Sequence, residues 1–225
     1  MPHVGFWASE RSLSVLAGVV VISSFVIAPL TPPAGLGNAV LVATYLALLV
    51  SGIAAVPRRG AAIYAISGLA LVSFAARAIT FFAPGDVAEV GRKLTAAVFC
   101  TLLATLVFGR IFRAGRVTVH RISGAVAAYL LIGLVFAYLY DAIEIMLPGS
   151  FHFATPALRD AALADPMTYF SFTTLTTVGY GDITPRIPLT QSLANLESLI
   201  GQLFPTILIA RLVALELLPH PDGKP

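Results

Sequence analysis

The run Thr176-Thr177-Val178-Gly179-Tyr180-Gly181-Asp182 has the residue types and order to do chemistry on a bare ion. Glycine alternates with larger residues, and glycine adopts left-handed backbone dihedrals without steric cost. A strand whose dihedrals alternate in hand turns successive carbonyl oxygens to one side. Four such strands around an axis would stack cages of oxygens able to replace the water shell of a monovalent cation. The residues just before it suit that use. Asp165 can cap free backbone N–H groups and Pro166 suits a first helical position. The apolar run that follows, to Leu175, makes only about two to three turns, too few to cross a membrane. It reads as a re-entrant helix over 166–175, whose C-terminal end brings the negative half of the helix dipole toward the axis. Irregular backbone at membrane depth is tolerated only where it is buried in protein or lines a watery cavity.

Thr176 to Asp182 resemble the selectivity-filter signature of the tetrameric potassium-channel family, residue for residue, after a capped short helix and between two spans. The resemblance covers about residues 122–218. It implies that K+ is the transported ion, held by the carbonyls of Thr177, Val178, Gly179 and Tyr180 and by the Thr177 hydroxyl, with Gly181 completing the filter. It also implies support from Thr176, Asp182 and an aromatic pair, Tyr169 and Phe170, behind the filter. Some members carry a carboxylate at the position of Thr173 to pair with the aspartate after the filter; here that brace is absent or altered. One filter strand per chain demands four chains, most simply a C4 homotetramer. The family's last span lines a cavity and bends at a glycine about twenty residues beyond the filter, where this chain has Gly201. Pro205 removes the hydrogen bond to the Gly201 carbonyl and presses its ring on that carbonyl. A kink is therefore expected over Gly201 to Pro205, with Gln202, Pro205, Thr206 and Ile209 nearest the cavity.

The rest of the chain must hold this strand in a membrane. Of its 225 residues 11% are charged and 58% hydrophobic, with mean hydropathy +0.90. A soluble domain carries about 25% charged residues, so a water-facing surface could not be covered. The composition reads as an integral membrane protein and excludes a soluble enzyme and a disordered chain. A disulfide scaffold is excluded because Cys100 is the single cysteine. At roughly 20 apolar residues per crossing, six spans are expected: 12–30, 36–56, 61–83, 94–112, 122–147 and 189–218. The expected fold is an all-α membrane protein of six transmembrane helices, with the re-entrant pore helix and filter loop (176–182) between the fifth and sixth. A four-helix domain (1–112) would lead through a cytoplasmic linker (113–121) to a two-helix pore domain (122–218) and a short cytoplasmic tail (219–225).

With a cytoplasmic N-terminus, Arg11, Arg58, Arg59, Arg110, Arg113, Arg116, Arg121 and Lys224 lie inside, and Arg92, Lys93, Arg159 and Arg186 outside. That is the positive-inside bias, and it puts both termini in the cytoplasm of a multi-pass cell membrane protein, plasma or inner; the compact loops and short tail suit one of prokaryotic type. Basic residues at the edges of apolar runs do not make a nucleic-acid stripe; membrane lipid and further copies of the chain are the expected partners, and no organic cofactor is. Four spans ahead of a pore unit resemble a voltage-sensing domain, yet Leu94 to Gly109 holds no charge. Arg110, Arg113 and Arg116 follow that run and suit a linker lying on anionic lipid. Arg77 is expected to pair with Asp141 or Glu144, or to snorkel. Glu197, about 12 Å into the last span, either accepts a hydrogen bond from the re-entrant helix or a neighbouring subunit, or tunes conduction as a charge. Asp141 and Glu144 with His152 lack the nucleophile or metal partner that an intramembrane enzyme needs. The sequence thus reads as a passive potassium-selective channel, not an enzyme, with a weakly selective or non-conducting pore-like sensor as the alternative.

Overall fold

A computed structural model describes residues 4–31, 36–56, 61–111, 118–159 and 165–216. Helix α1 (Val4–Val21) runs on through a π-helical stretch, Ile22–Ile27, and a last turn, Ala28–Leu30. Then come α2 (Leu36–Ala54), α3 (Ala61–Phe82), α4 (Asp86–Ile111) and α5 (Val119–Met146). Beyond α5 lie strand β1 (Phe151–Phe153), a single turn α6 (Pro156–Arg159), the short helix α7 (Pro166–Leu175), strand β2 (Ile183–Pro185) and the long α8 (Pro188–Glu216).

Among the described residues five helical stretches are long and apolar enough to cross a membrane: Arg11–Leu30, Ala61–Thr80, Asp86–Ile111, Val119–Met146 and Pro188–Arg211. The expected second span appears as a shorter apolar helix, Ala39–Ala54; in sequence, prolines at 32, 33 and 57 bound it on both sides. The fourth expected span is too short at its start. In sequence Pro84-Gly85-Asp86 opens a polar stretch that closes at Arg92-Lys93 and reads as a loop, but α4 already begins at Asp86. Asp86 and Glu89 sit in its first turn, where acidic side chains complement the helix dipole, and Arg92 pairs with Glu89 one turn on. Arg92 and Lys93 therefore stand on a helix instead of in a loop. The β1–β2 pair is also absent from the all-α expectation, since three-residue strands are too short to show an alternating pattern. Phe151 lies opposite Pro185 and Phe153 opposite Ile183, antiparallel.

Of the four leading helices, α1 and α4 carry the main packing onto the second half of the chain. Helix α4 lies along α5, and α1 packs on α5 as well. Their shared core buries Leu16 and Val20 of α1, Phe99, Leu103 and Val107 of α4, and Leu131 of α5, together with Leu175 at the end of α7. The π stretch gives α1 a wide turn, and its Phe25 ring meets Phe172 of α7 at 4.9 Å. A second, smaller core gathers Phe136, Tyr140, Phe151, Met167, Phe170 and Ile183. Outside these cores Val15, Leu71, Val72 and Ile79 are exposed, as helix faces toward lipid would be.

Candidate functional site: the loop after α7

Asp165 caps α7, its Oδ1 accepting from the Met167 N–H at 3.2 Å, and Pro166 fills the first turn. The helix ends at Leu175 because the chain turns left-handed. Thr177 has φ 60°, Gly179 54° and Gly181 79°, so every second residue of the loop lies on the positive side. For glycine that is free; for β-branched Thr177 it costs of the order of 1–3 kcal/mol and must be imposed by its surroundings. The surroundings are the last carbonyls of α7. Thr177 N–H donates to Thr174 O at 2.9 Å, while Val178 and Gly179 N–H both donate to Thr173 O, at 2.9 and 3.1 Å. The donors of the loop's first half are tied back to the helix, whereas among the described residues the carbonyls of Thr176 to Gly181 accept no hydrogen bond. Unclaimed backbone carbonyls in succession need water, an ion or a partner. Thr177 to Gly181 are all exposed in the single chain.

The far end of the loop is tethered too. Asp182 Oδ2 accepts from the Tyr169 hydroxyl at 2.7 Å and Oδ1 from Ile183 N–H at 3.0 Å, while its carbonyl accepts from Ala154 N–H at 2.8 Å. Desolvation and the bond to Asp182 push the Tyr169 phenol up to about 12, so it remains a donor at ordinary pH. Its ring stacks on Tyr180 with centroids 6.4 Å apart and planes 2° from parallel. Tyr169 thus takes the bracing place that Thr173 leaves open; Thr173 instead donates to Phe170 O at 2.9 Å. The expected aromatic pair is split. Successive helical residues point about 100° apart, so Phe170 turns away from the loop and meets Tyr140 and Phe151 edge-on at 5.1 and 5.2 Å.

Behind the loop, α7 is clamped between α5 and α8. The Leu175 carbonyl accepts from the Tyr129 hydroxyl at 3.1 Å, and Ser198 reaches Thr174 O at 3.4 Å. Gly201 lies against the same turn: a β-carbon there would stand 1.8 Å from Leu175 O. The expected hinge glycine is a point of close helix contact in this structure, and α8 is helical from Pro188 to Glu216 with Pro205 inside it. Gln202, Thr206 and Ile209 are exposed in the single chain and Pro205 half-buried. Glu197 is fully buried. Its carboxyl accepts from Tyr140 Oη at 2.7 Å and lies 2.5 Å from Ser171 Oγ, which also sits 2.7 Å from Gly133 O. The hydrogen-bonded alternative for Glu197 is the one observed, with its partners on α7 and α5 of the same chain.

Sequence reasoning missed a second buried cluster. Lys93 of α4 forms an ion pair with Asp141 of α5 and a second, at 3.1 Å, with the α7 cap Asp165. The one signal available was a Lys beside a span, expected outside. Its consequence is that Asp141 is not free for Arg77. Arg77 instead lies over the Tyr45 ring at 5.4 Å, its Nε without a hydrogen-bond partner among the described residues, beside a cavity of about 1060 Å³ that reaches Phe172 and Thr173. Glu144 accepts from the N–H groups of Gly149 and Phe151 at 3.0 and 3.1 Å, which fixes the turn into β1. Arg110 donates to the Ala55 carbonyl at the end of α2. Arg113 and Arg116 lie outside the described residues.

A protein-family model described as "ion channel" matches residues 125–216, from α5 through the loop to the end of α8. The match supports a pore-loop ion channel. It points to transport in place of enzymatic chemistry and, with the apolar helices, to a multi-pass membrane protein. Comparison with curated proteins and with solved structures finds no match.

Proposed function

We propose that the chain is one subunit of a potassium-selective channel in which four copies bring Thr176 to Asp182 together around one axis. K+ is then held by the carbonyls of Thr177, Val178, Gly179 and Tyr180 and by the Thr177 hydroxyl, and passes without chemical change. The observation that supports this most is the row of carbonyls from Thr176 to Gly181 that, among the described residues, accept no hydrogen bond, in a loop whose φ is positive at Thr177, Gly179 and Gly181. That pattern suits a desolvated monovalent cation, because the oxygens of one chain cover only one side of it and three more chains complete the cage. In the same reading α2 is the second of six spans, both termini are cytoplasmic and lipid surrounds the outer helices. The exposed face carrying Gln202, Thr206 and Ile209 lines the cavity below the filter, and Pro205 bends the helix that carries it.

The test is the reversal potential of purified protein in a planar bilayer under opposed potassium and sodium gradients, with Gly179→Ala alongside. Gly179 has φ 54°, which alanine adopts only under strain. The expected result is a reversal near the potassium equilibrium value for the native chain, lost in the variant. Conduction without selectivity in the native chain, or selectivity kept by Gly179→Ala, would overturn the assignment.

A further inference from the structure

The hydrogen bonds behind the loop can be counted by protons. Three short oxygen contacts meet at Glu197: Tyr140 Oη to Oε2 at 2.7 Å, Ser171 Oγ to Oε1 at 2.5 Å, and Ser171 Oγ to Gly133 O at 2.7 Å. Each needs one hydrogen between its oxygens. The Tyr140 hydroxyl supplies one and the Ser171 hydroxyl one. The Gly133 carbonyl has none to give. With an ionised Glu197 a contact of at most 2.7 Å would be left as acceptor against acceptor, and a carboxylate would be fully buried with no ion-pair partner among the described residues. The titratable side chains that reach Glu197 among the described residues are the Tyr140 and Tyr129 phenols, both on α5; from α7 it meets the Ser171 hydroxyl.

We infer that Glu197 is a neutral carboxylic acid that donates through Oε1 to Ser171, so that Ser171 passes its own hydrogen to the Gly133 carbonyl while Oε2 accepts from Tyr140. This closes a relay of three hydrogen bonds that joins α8, α7 and α5 directly behind the loop. Glu197 is thereby a positioning residue, a clip on α7 and not a charge felt by the ion. That the clip steadies an ion-selective loop rests on the channel reading; the protonation state does not.

Infrared difference spectroscopy of the full chain in lipid vesicles at neutral pH, native against Glu197→Gln, tests this. Glutamine keeps a donor toward Ser171 and an acceptor toward Tyr140, so the variant retains the relay. The expected difference is the loss of one protonated-acid carbonyl band with the carboxylate bands unchanged. A loss of carboxylate intensity instead would overturn the inference. Tyr140→Phe provides an independent check, because it removes the bond to Oε2. The acid carbonyl band should shift to higher frequency, and absence of any acid band that responds would again overturn it. Neither readout requires conduction, so a failure here is distinct from failure of the channel reading.

Discussion

At Gly201 a β-carbon would meet the Leu175 carbonyl oxygen at 1.8 Å, far inside van der Waals contact, and what it meets is backbone. Neither partner can step aside cheaply, since Leu175 O is held by Tyr129 and Leu175 itself is fully buried. Gly201→Ala should therefore destabilise the folded chain by about 3 kcal/mol, the upper end of ordinary overpacking, read as a fall in the thermal unfolding midpoint in detergent. Alanine without effect there would show that α7 and α8 are not in this contact. The sequence marks Gly201 by its distance from the loop, and that distance is compatible with a hinge as readily as with close packing. Which of the two it is depends on the Leu175 carbonyl, 26 positions away in the chain (201 − 175), and no local spacing reveals it. Thr177 is the opposite case. Its left-handed φ of 60° follows from the alternation legible in the sequence, even though threonine by itself resists it.

At the scale of elements, Asp165-Pro166 announces α7 in sequence, and the observed cap and start agree because capping is a local matter of adjacent residues. The fastening of α7 to the four leading helices is not local. Lys93 meets Asp141 and Asp165 from 48 and 72 positions away, and a residue counted as an outer-loop charge becomes a buried bridge of α4, α5 and α7. Its removal leaves two carboxylates facing one another. Lys93→Met should cost about 3 kcal/mol, as breaking one side of a buried ion pair does, and Lys93→Met with Asp141→Asn should recover at least half of that loss. The pair of variants is measured by thermal unfolding in the same detergent. A double variant no more stable than the single would mean that Lys93 contributes by packing its stem and not by charge.

Across the whole molecule the four leading helices resemble a sensor in number, yet the charges that flank the apolar run of α4 are fastened. Within α4, Leu94 to Gly109 carries none. Lys93 above that run is bound to Asp141 and Asp165, and Arg110 below it donates to Ala55 O, so both ends of the helix are held by partners on other elements. A transmembrane potential acts on a helix only through charge that can cross the field, at about 2.3 kcal/mol per elementary charge per 100 mV. With an uncharged central stretch and tethered ends, α4 has little to move. Single-channel open probability in a planar bilayer should accordingly change so little with voltage that the equivalent gating charge stays below about one per subunit, where a working sensor carries about three to four. A value near three would mean that the Lys93 bridge breaks and re-forms as the helix moves. Lys93→Met should then steepen or abolish the voltage dependence; with α4 fixed, it should lower stability and leave the slope as it was.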